Sequence, residues 1–174
     1  REGPSDPPPP ELGAAGAAWA KAARTGEIDA RTLRPWVAAA WVRCTSYGFG
    51  AATRALPLVT RTAPVRSGSA GDATHAAAAG PYLVALASAS ARTRGRALLT
   101  DARGFVLASE GATDPDDGSP VNPCFAEDQV GAHAVGAALA TGDYAEFVGP
   151  EHTSSRFHGS TSLAVPLHNK AGSV

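Results

Sequence analysis

Five side chains in the second half of the chain are of the types that bind metal ions or move protons in proteins. They are Cys124, Glu127, His133, His152 and His158. Thiolate, imidazole and carboxylate groups are the usual protein ligands of zinc and iron. Their separations along the chain match no short metal-binding motif, and the other cysteine, Cys44, adds no metal or redox spacing. Metal binding is therefore an alternative interpretation of this group, and the sequence predicts no resident metal ion.

Thiol catalysis is a second alternative for the same stretch. Nucleophilic attack by Cys124 would require a base, which His133 or His152 could supply. No second cysteine lies near Cys124 in the sequence to resolve an oxidised intermediate. The residues thus indicate no assembled catalytic group, and we expect a protein that is not an enzyme.

Composition and charge exclude several broad classes of protein. The chain has 174 residues, of which 44% are hydrophobic, and its formal net charge is −1. Residues 1–70 carry nine basic and five acidic side chains, whereas residues 71–174 carry six and eleven. Neither half has the dense basic run of a nucleic-acid-binding protein. No window holds the roughly 18 apolar residues of a membrane span. Two cysteines give no disulfide framework, which favours a reducing cytoplasm.

The elements that must position these side chains follow a less regular N-terminal part. Residues 1–10 contain four consecutive prolines and predict an extended tail. Residues 11–50 predict two alanine-rich helices, which we expect to be an appendage that mediates dimerisation. Residues 51–80 are poor in large apolar groups and predict a linker or loop. The expected anchors of the two helices are Trp19, Trp36 and Trp41, which should be buried either against the rest of the domain or against a second copy.

The remainder of the chain, residues 81–174, predicts a domain of the α+β class. A helix is expected over 81–94, with Pro81 at its start. Asp101 and Gly104 bound a turn between two short apolar runs, which predicts a β-hairpin. A helix is expected over Asp128–Ala140. The predicted strands are 97–100, 105–108, 144–148 and 162–167.

These elements do not alternate as in a parallel sheet, so they predict one antiparallel sheet with helices packed on one face. A turn at Asn169–Gly172 should lead into a further strand that starts at the end of the sequence. We therefore expect the domain to be incomplete at its C-terminal edge.

Several segments resemble the GAF sensor domains of bacterial transcriptional activators, such as the regulators of acetoin and of glycerol or dihydroxyacetone catabolism. The resemblance covers about residues 32–174. It is carried by the hairpin 99–107, by Phe125–Gly136, by Gly149-Pro150-Glu151-His152 and by the strand Ser160–Pro166. Where the family commonly has Gly-Thr-Asn, this chain has Gly131-Ala132-His133, and it lacks the cysteine of the family's last strand.

The resemblance implies a GAF-like antiparallel sheet with flanking helices, in addition to the N-terminal helices. It also implies a ligand pocket between the sheet and the helices and loops that cover it. On the matching positions this pocket would be lined by Asn122, Cys124, Phe125, Glu127, His133, His152, Phe157, Ser160 and Ser162. Because His133 falls in the first turn of its helix, an anionic group of the ligand would be favoured there.

The function implied by the resemblance is non-enzymatic sensing of a small molecule in a cytoplasmic transcription regulator that dimerises. A small polyol, ketone or carboxylate suits a histidine-containing site. DNA would be reached only through modules outside this chain, and no membrane association is expected. The sequence specifies no cofactor. The alternative is a GAF-like module without a small ligand that acts only in dimerisation or interaction.

Overall fold

The first two helices bring small side chains into the largest apolar core of the protein. The computed structural model describes residues 12–51, 70–112 and 123–168. Helix α1 spans Leu12–Thr25 and helix α2 spans Pro35–Ser46. Alanine has the highest helix propensity and so favours both. Helix α2 begins with proline, whose missing N–H has no intrahelical partner at that position.

The N-terminal helices are part of the main core rather than an appendage. Alanines of α1 and the buried face of α2 share one hydrophobic cluster with residues of the C-terminal half, including Ala137 and Phe147. Trp41 is fully buried there, and Trp19 packs at its edge. Trp36 remains 45% exposed. The prediction of a separate helical appendage is therefore wrong. The packing of Trp19 and Trp41 within the domain agrees with one of the two placements expected for these indoles.

Helix α3 spans Ala70–Ala89 and continues through Pro81. The predicted start at Pro81 and the end of the linker at residue 80 are both wrong. Proline inside a helix removes one backbone hydrogen bond. The high helix propensity of the alanine-rich segment before Pro81 compensates for that loss. The remaining part of the predicted linker, residues 52–69, lies outside the described residues, as does the predicted tail 1–10.

The predicted hairpin is confirmed. Strands β1 (Arg96–Thr100) and β2 (Val106–Gly111) pair in antiparallel fashion. In the turn between them, Asp101 accepts a hydrogen bond from the backbone N–H of Gly104, whose φ is 84°. Helix α3 packs on this hairpin through Leu83 and Ala87, as expected for helix 81–94.

The helix predicted over Asp128–Ala140 is two helices. Helix α4 spans Glu127–Val130, and helix α5 spans Ala134–Thr141. Gly131 separates them with a φ of 77°, and a side chain at this position would collide with Thr153 Oγ1. The backbone turns here because a left-handed conformation and a close approach both require glycine.

Strands β3 (Ala145–Val148) and β4 (Thr161–Ala164) form a second antiparallel pair. Among the described strands, β1 and β2 pair only with each other, and so do β3 and β4. The single central sheet was therefore a wrong prediction, although the α+β class is confirmed. Helices α4 and α5 lie between the two pairs in the chain, and their Val130 and Val135 pack with Val106 of the hairpin. The predicted turn Asn169–Gly172 lies outside the described residues. None of the described helices combines the length and apolarity needed to cross a membrane.

Candidate functional site

Four aromatic side chains meet where the N-terminus of α5 faces two single 3₁₀ turns, Gly149–Glu151 and Ser155–Phe157. The ring centroids of His133 and His152 are 5.4 Å apart. Phe125 stacks on His133 at 4.9 Å, and the edge of Phe157 meets His133 at the same distance. We call Phe125, His133, His152 and Phe157 the aromatic cluster. Two imidazoles between two phenyl rings give an apolar site with few, specific polar atoms.

His152 is held in one tautomer by its neighbours. Its Nδ1 lies 2.9 Å from the carbonyl oxygen of Gly149, which can only accept. The proton is therefore on Nδ1, and Nε2 accepts the hydroxyl hydrogen of Ser162 at 2.7 Å. Burial lowers the pKa of His152 to about 4, so the ring is neutral near pH 7.

His133 has the opposite arrangement. It is the N-cap residue of α5, and its Nδ1 accepts the backbone N–H of Val135 at 3.3 Å. Burial, and then the neighbouring His152, lower the pKa of His133 to about 3. The N–H of Ala134 donates to Ser162 Oγ at 3.4 Å. The backbone N–H groups of Ala134 and Val135, at the start of α5, thus have acceptors within the protein. This weakens the expectation that an anionic group of a ligand binds there.

The loop that carries His152 is fixed by the N-terminal helices. Arg34, the N-cap residue of α2, forms an ion pair with Glu151 through two hydrogen bonds, and its Nη1 also donates to Glu146 at 2.9 Å. Hydrogen bonds to Glu151 and Glu146 raise the pKa of Arg34, although burial alone would lower it. The indole of Trp41 donates to the Glu151 carbonyl at 2.6 Å, and that of Trp19 donates to the Thr153 carbonyl at 2.8 Å. Both residues flanking His152 are therefore held by indole N–H groups.

A second ion pair connects α2 to α4. Arg43 donates from Nε and Nη2 to the two carboxylate oxygens of Glu127, at 2.9 and 2.7 Å. The hydrogen bonds to Glu127 raise the pKa of Arg43. Because both oxygens of Glu127 bind the arginine, this carboxylate is directed toward α2 rather than the aromatic cluster.

Five of the nine predicted lining residues are brought together. Four of them form the aromatic cluster, and Ser162 binds His152. Cys124 is buried below the hairpin, where its Sγ donates to the Arg103 carbonyl at 3.3 Å. Ser160 is exposed, and its hydroxyl donates to the Phe157 carbonyl. Asn122 lies outside the described residues.

Three contributors to the site were missed in the sequence. The Phe147 ring lies 5.7 Å from His152, Thr153 Oγ1 accepts the Ala132 N–H at 2.8 Å, and Arg34 fixes Glu151. Alternation in β3, with Ala145 and Phe147 both buried, could have indicated Phe147. Nothing local could have indicated Arg34, since 117 residues separate it from Glu151.

The two alternative roles of these side chains, metal binding and thiol catalysis, can be compared with the surroundings of the described residues. Within the described ranges, no cluster of three or more His, Cys, Asp or Glu side chains is arranged to hold a metal ion. Both cysteines are buried, and they form no disulfide bond with each other. Burial, and then Glu127, raise the pKa of Cys44 to about 12, which opposes formation of its thiolate.

The chain is similar in sequence to a transcriptional activator and in fold to part of a solved complex. No protein-family model matches it. It is 29% identical over 161 residues to the acetoin dehydrogenase operon transcriptional activator AcoR of Bacillus subtilis (strain 168). This alignment covers 90% of the chain and 27% of the activator, so the chain spans about a quarter of its relative's length. It superposes on the E. coli DhaR(N)–DhaL complex with a TM-score of 0.52 and 16% identity, over 80% of this chain and 49% of that one. That likeness concerns the fold alone.

Proposed function

We propose that this chain is a GAF-like sensor domain of a bacterial transcription regulator, and that it binds a small metabolite at the aromatic cluster. The observation that carries the proposal is the convergence of His133, His152, Phe125 and Phe157, which come from four different segments of the chain. Small-molecule sites are apolar concavities with a few convergent polar groups, and the cluster has this composition. Similarity to a transcriptional activator supports the regulatory role.

The domain carries out no chemical step in this proposal. Its cysteines are buried, and the S–H of Cys124 is a donor to a carbonyl rather than a thiolate. We infer a cytoplasmic protein, because an activator acts on DNA in that compartment. Its DNA contacts would be made by parts of the regulator other than this chain, in line with the 27% of the activator that the alignment covers.

The test is stabilisation of the purified protein by candidate metabolites. Acetoin is the first candidate, since it is named in the relative's operon, and dihydroxyacetone and glycerol follow from the resemblance. A ligand at one hundred times its dissociation constant should add roughly 2.7 kcal/mol to the free energy of unfolding. Isothermal titration calorimetry then gives the affinity.

Two variants make this test specific to the cluster. His133→Ala should weaken binding, whereas Ser160→Ala should not, because Ser160 is exposed and bonded to a neighbouring carbonyl. If a ligand binds both variants equally, the assignment of the site is wrong. If none of the three compounds stabilises the protein, small-molecule sensing of this class is wrong.

A protein-docking or dimerisation module without a small ligand is the second candidate. It is favoured by the outer face of α3, where Tyr82 and Leu86 stand one turn apart and are 74% and 60% exposed. Exposed apolar patches often mark interaction surfaces. The similar E. coli chain was also crystallised in a complex with another protein. Sedimentation of the purified protein should show a dimer if this face, rather than the cluster, carries the function.

A further inference from the structure

We propose that the aromatic cluster takes an uncharged small molecule, through a hydroxyl or carbonyl oxygen that accepts a hydrogen bond from Nε2–H of His133. Carboxylates and amines are rejected. This rests on the proposed function and narrows it to a chemical class of ligand.

The position of the proton on His133 follows from its role as a helix cap. Nδ1 accepts the Val135 N–H, and a backbone N–H can only donate. A neutral ring with an acceptor at Nδ1 carries its proton at Nε2. His133 is therefore a donor toward whatever lies at Nε2, whereas the Nε2 of His152 is an acceptor that Ser162 already occupies.

The Nε2 of His133 has no hydrogen-bond partner in the described part of the chain, although the residue is only 7% exposed. Every fully buried side-chain nitrogen or oxygen of the described residues does have a partner. It follows that Nε2 is not fully buried but reaches accessible space at the edge of the cluster. Nε2–H is thus a donor that no side chain or backbone group of the described residues occupies, and an oxygen acceptor that enters this space can bind it.

Within the described residues, the arginines of the buried ion pairs that hold the site are already bound to carboxylates. Arg34 is paired with Glu151 and Glu146, and Arg43 is paired with Glu127. Arg156, in the turn that carries Phe157, is exposed. His158 donates to the His152 carbonyl from outside the cluster. A carboxylate placed next to Nε2 of the neutral His133 ring would lose part of its hydration without a matching cation, and such a loss is costly.

The same reasoning excludes an amine. The two buried carboxylates among the described residues, Glu127 and Glu151, each bind an arginine through both oxygens. An ammonium group would have to displace a guanidinium to be neutralised. The phenyl rings of Phe125 and Phe157, on two sides of His133, instead favour a short hydrocarbon portion next to the accepting oxygen.

The test uses probes that share a three-carbon skeleton and differ in charge: 1,2-propanediol, hydroxyacetone, lactate and 1-amino-2-propanol. Their affinities for the full chain are measured by calorimetry at pH 7. We expect the diol or the ketol to bind about tenfold more tightly, or better, than lactate and the amine, which corresponds to about 1.4 kcal/mol. Equal or tighter binding of lactate or the amine would overturn the ligand class while leaving the sensing function in place.

Two cap-preserving variants test the donor. Aspartate and asparagine are both good N-cap residues, so His133→Asp and His133→Asn should keep α5 intact. Asparagine retains an N–H donor and should retain part of the affinity for the neutral probe. Aspartate offers only acceptors and should abolish it. Equal binding by the two variants would overturn the role of the donor.

A measurement without ligand tests the tautomers of the two histidines independently of ligand binding. Long-range ¹⁵N–¹H correlation spectra assign the tautomer of each imidazole, and we expect protonated Nε2 in His133 and protonated Nδ1 in His152. The opposite tautomer in His133 would overturn the proposal whatever binds. If the tautomers are as expected and none of the four probes binds, both the ligand class and the sensing function fall.

Discussion

The two antiparallel strand pairs lie in regions that are stabilised in different ways. The corner region comprises α1, α2, α5, β3, β4 and the turn Gly149–Glu151. Its core consists largely of alanines around Trp41 and Phe147. It also contains long-range hydrogen bonds, including those from Arg34 and Trp41 to Glu151. The hairpin region comprises α3, β1 and β2. Leu83 and Ala87 of helix α3 form one buried cluster with Ala97 of β1, and β2 also buries Val106 and Leu107. The side-chain hydrogen bonds of this region are mostly local and exposed.

The difference indicates which regions of the fold depend on hydrogen bonds and ion pairs for their stability. Alanine buries little apolar area, so an alanine-rich core gains little from the hydrophobic effect per residue. Charge-assisted hydrogen bonds and indole N–H bonds fix the corner region instead, and they also fix the loop that carries His152. The hairpin region needs no such bonds, because its strands are joined by a short turn and covered by one helix.

The largest expected effect comes from removing the central ion pair of the corner region. Arg34→Ala would leave Glu151, which is 2% exposed, without its cation. Breaking a buried pair by removing one partner typically costs about 3–5 kcal/mol. Because Glu151 still accepts the Val148 N–H, we expect a loss near 3 kcal/mol. Chemical denaturation measures it.

The hairpin region offers a matched control for this variant. Arg103 pairs with Asp101, but its side chain is 69% exposed. Exposed pairs contribute about 0–1 kcal/mol, so Arg103→Ala should change the free energy of unfolding by less than that. Similar losses in the two variants would mean that the regions do not differ in the way described.

The parts of the fold that were predicted correctly depend on interactions close in sequence. The hairpin follows from Asp101 and Gly104, whose conformations determine the turn. The first helix follows from its alanines and from Gly26, which ends it with a φ of 73°. Each of these signals lies within a few residues of the structure that it produces.

The parts that were predicted wrongly depend on distant residues. Periodicity over Asp128–Ala140 could not reveal the break at Gly131, which is forced by its approach to Thr153. The place of the N-terminal helices in the core depends on bonds such as that from Trp19 to Thr153, 134 residues away. In the site, the residues nearest His133 were anticipated, while Glu127 was misplaced because its partner Arg43 lies 84 residues earlier.

The second prediction concerns the pH dependence of stability, which should originate in the corner region. Burial depresses the pKa of His152 to about 4 and of His133 to about 3, below the ordinary value of 6.5. In the unfolded chain both imidazoles bind protons as the pH falls through 6.5, but in the folded protein they do not. Stability is therefore complete above pH 7 and declines toward pH 4, by up to about 1.4 kcal/mol per pH unit for each histidine.

Denaturation curves at pH 7.5, 6.5 and 5.5 measure this slope. His133→Gln removes one of the two groups and should reduce the slope between pH 6.5 and 5.5 to about half. His75→Gln on α3, where the side chain is exposed, should leave it unchanged. A steep slope that persists in His133→Gln, or disappears in His75→Gln, would place the pH response outside the aromatic cluster.

The smallest expected effect on stability lies on the outer face of α3. Tyr82 and Leu86 are among the most exposed large apolar side chains of the described residues. Leu86→Lys removes no buried contact and retains a good helix former, so the free energy of unfolding should change by no more than about 0.5 kcal/mol.

If the hairpin region serves as a contact surface for a second copy, the same substitution should shift the sedimentation coefficient toward the monomer. Val42→Lys, on the exposed face of α2, is the control in the corner region and should leave the association unchanged. A loss of stability well above 0.5 kcal/mol in Leu86→Lys would mean that this face is covered within the chain. The outer face of α3 would then not be an exposed surface, and the proposed difference between the corner region and the hairpin region would be wrong.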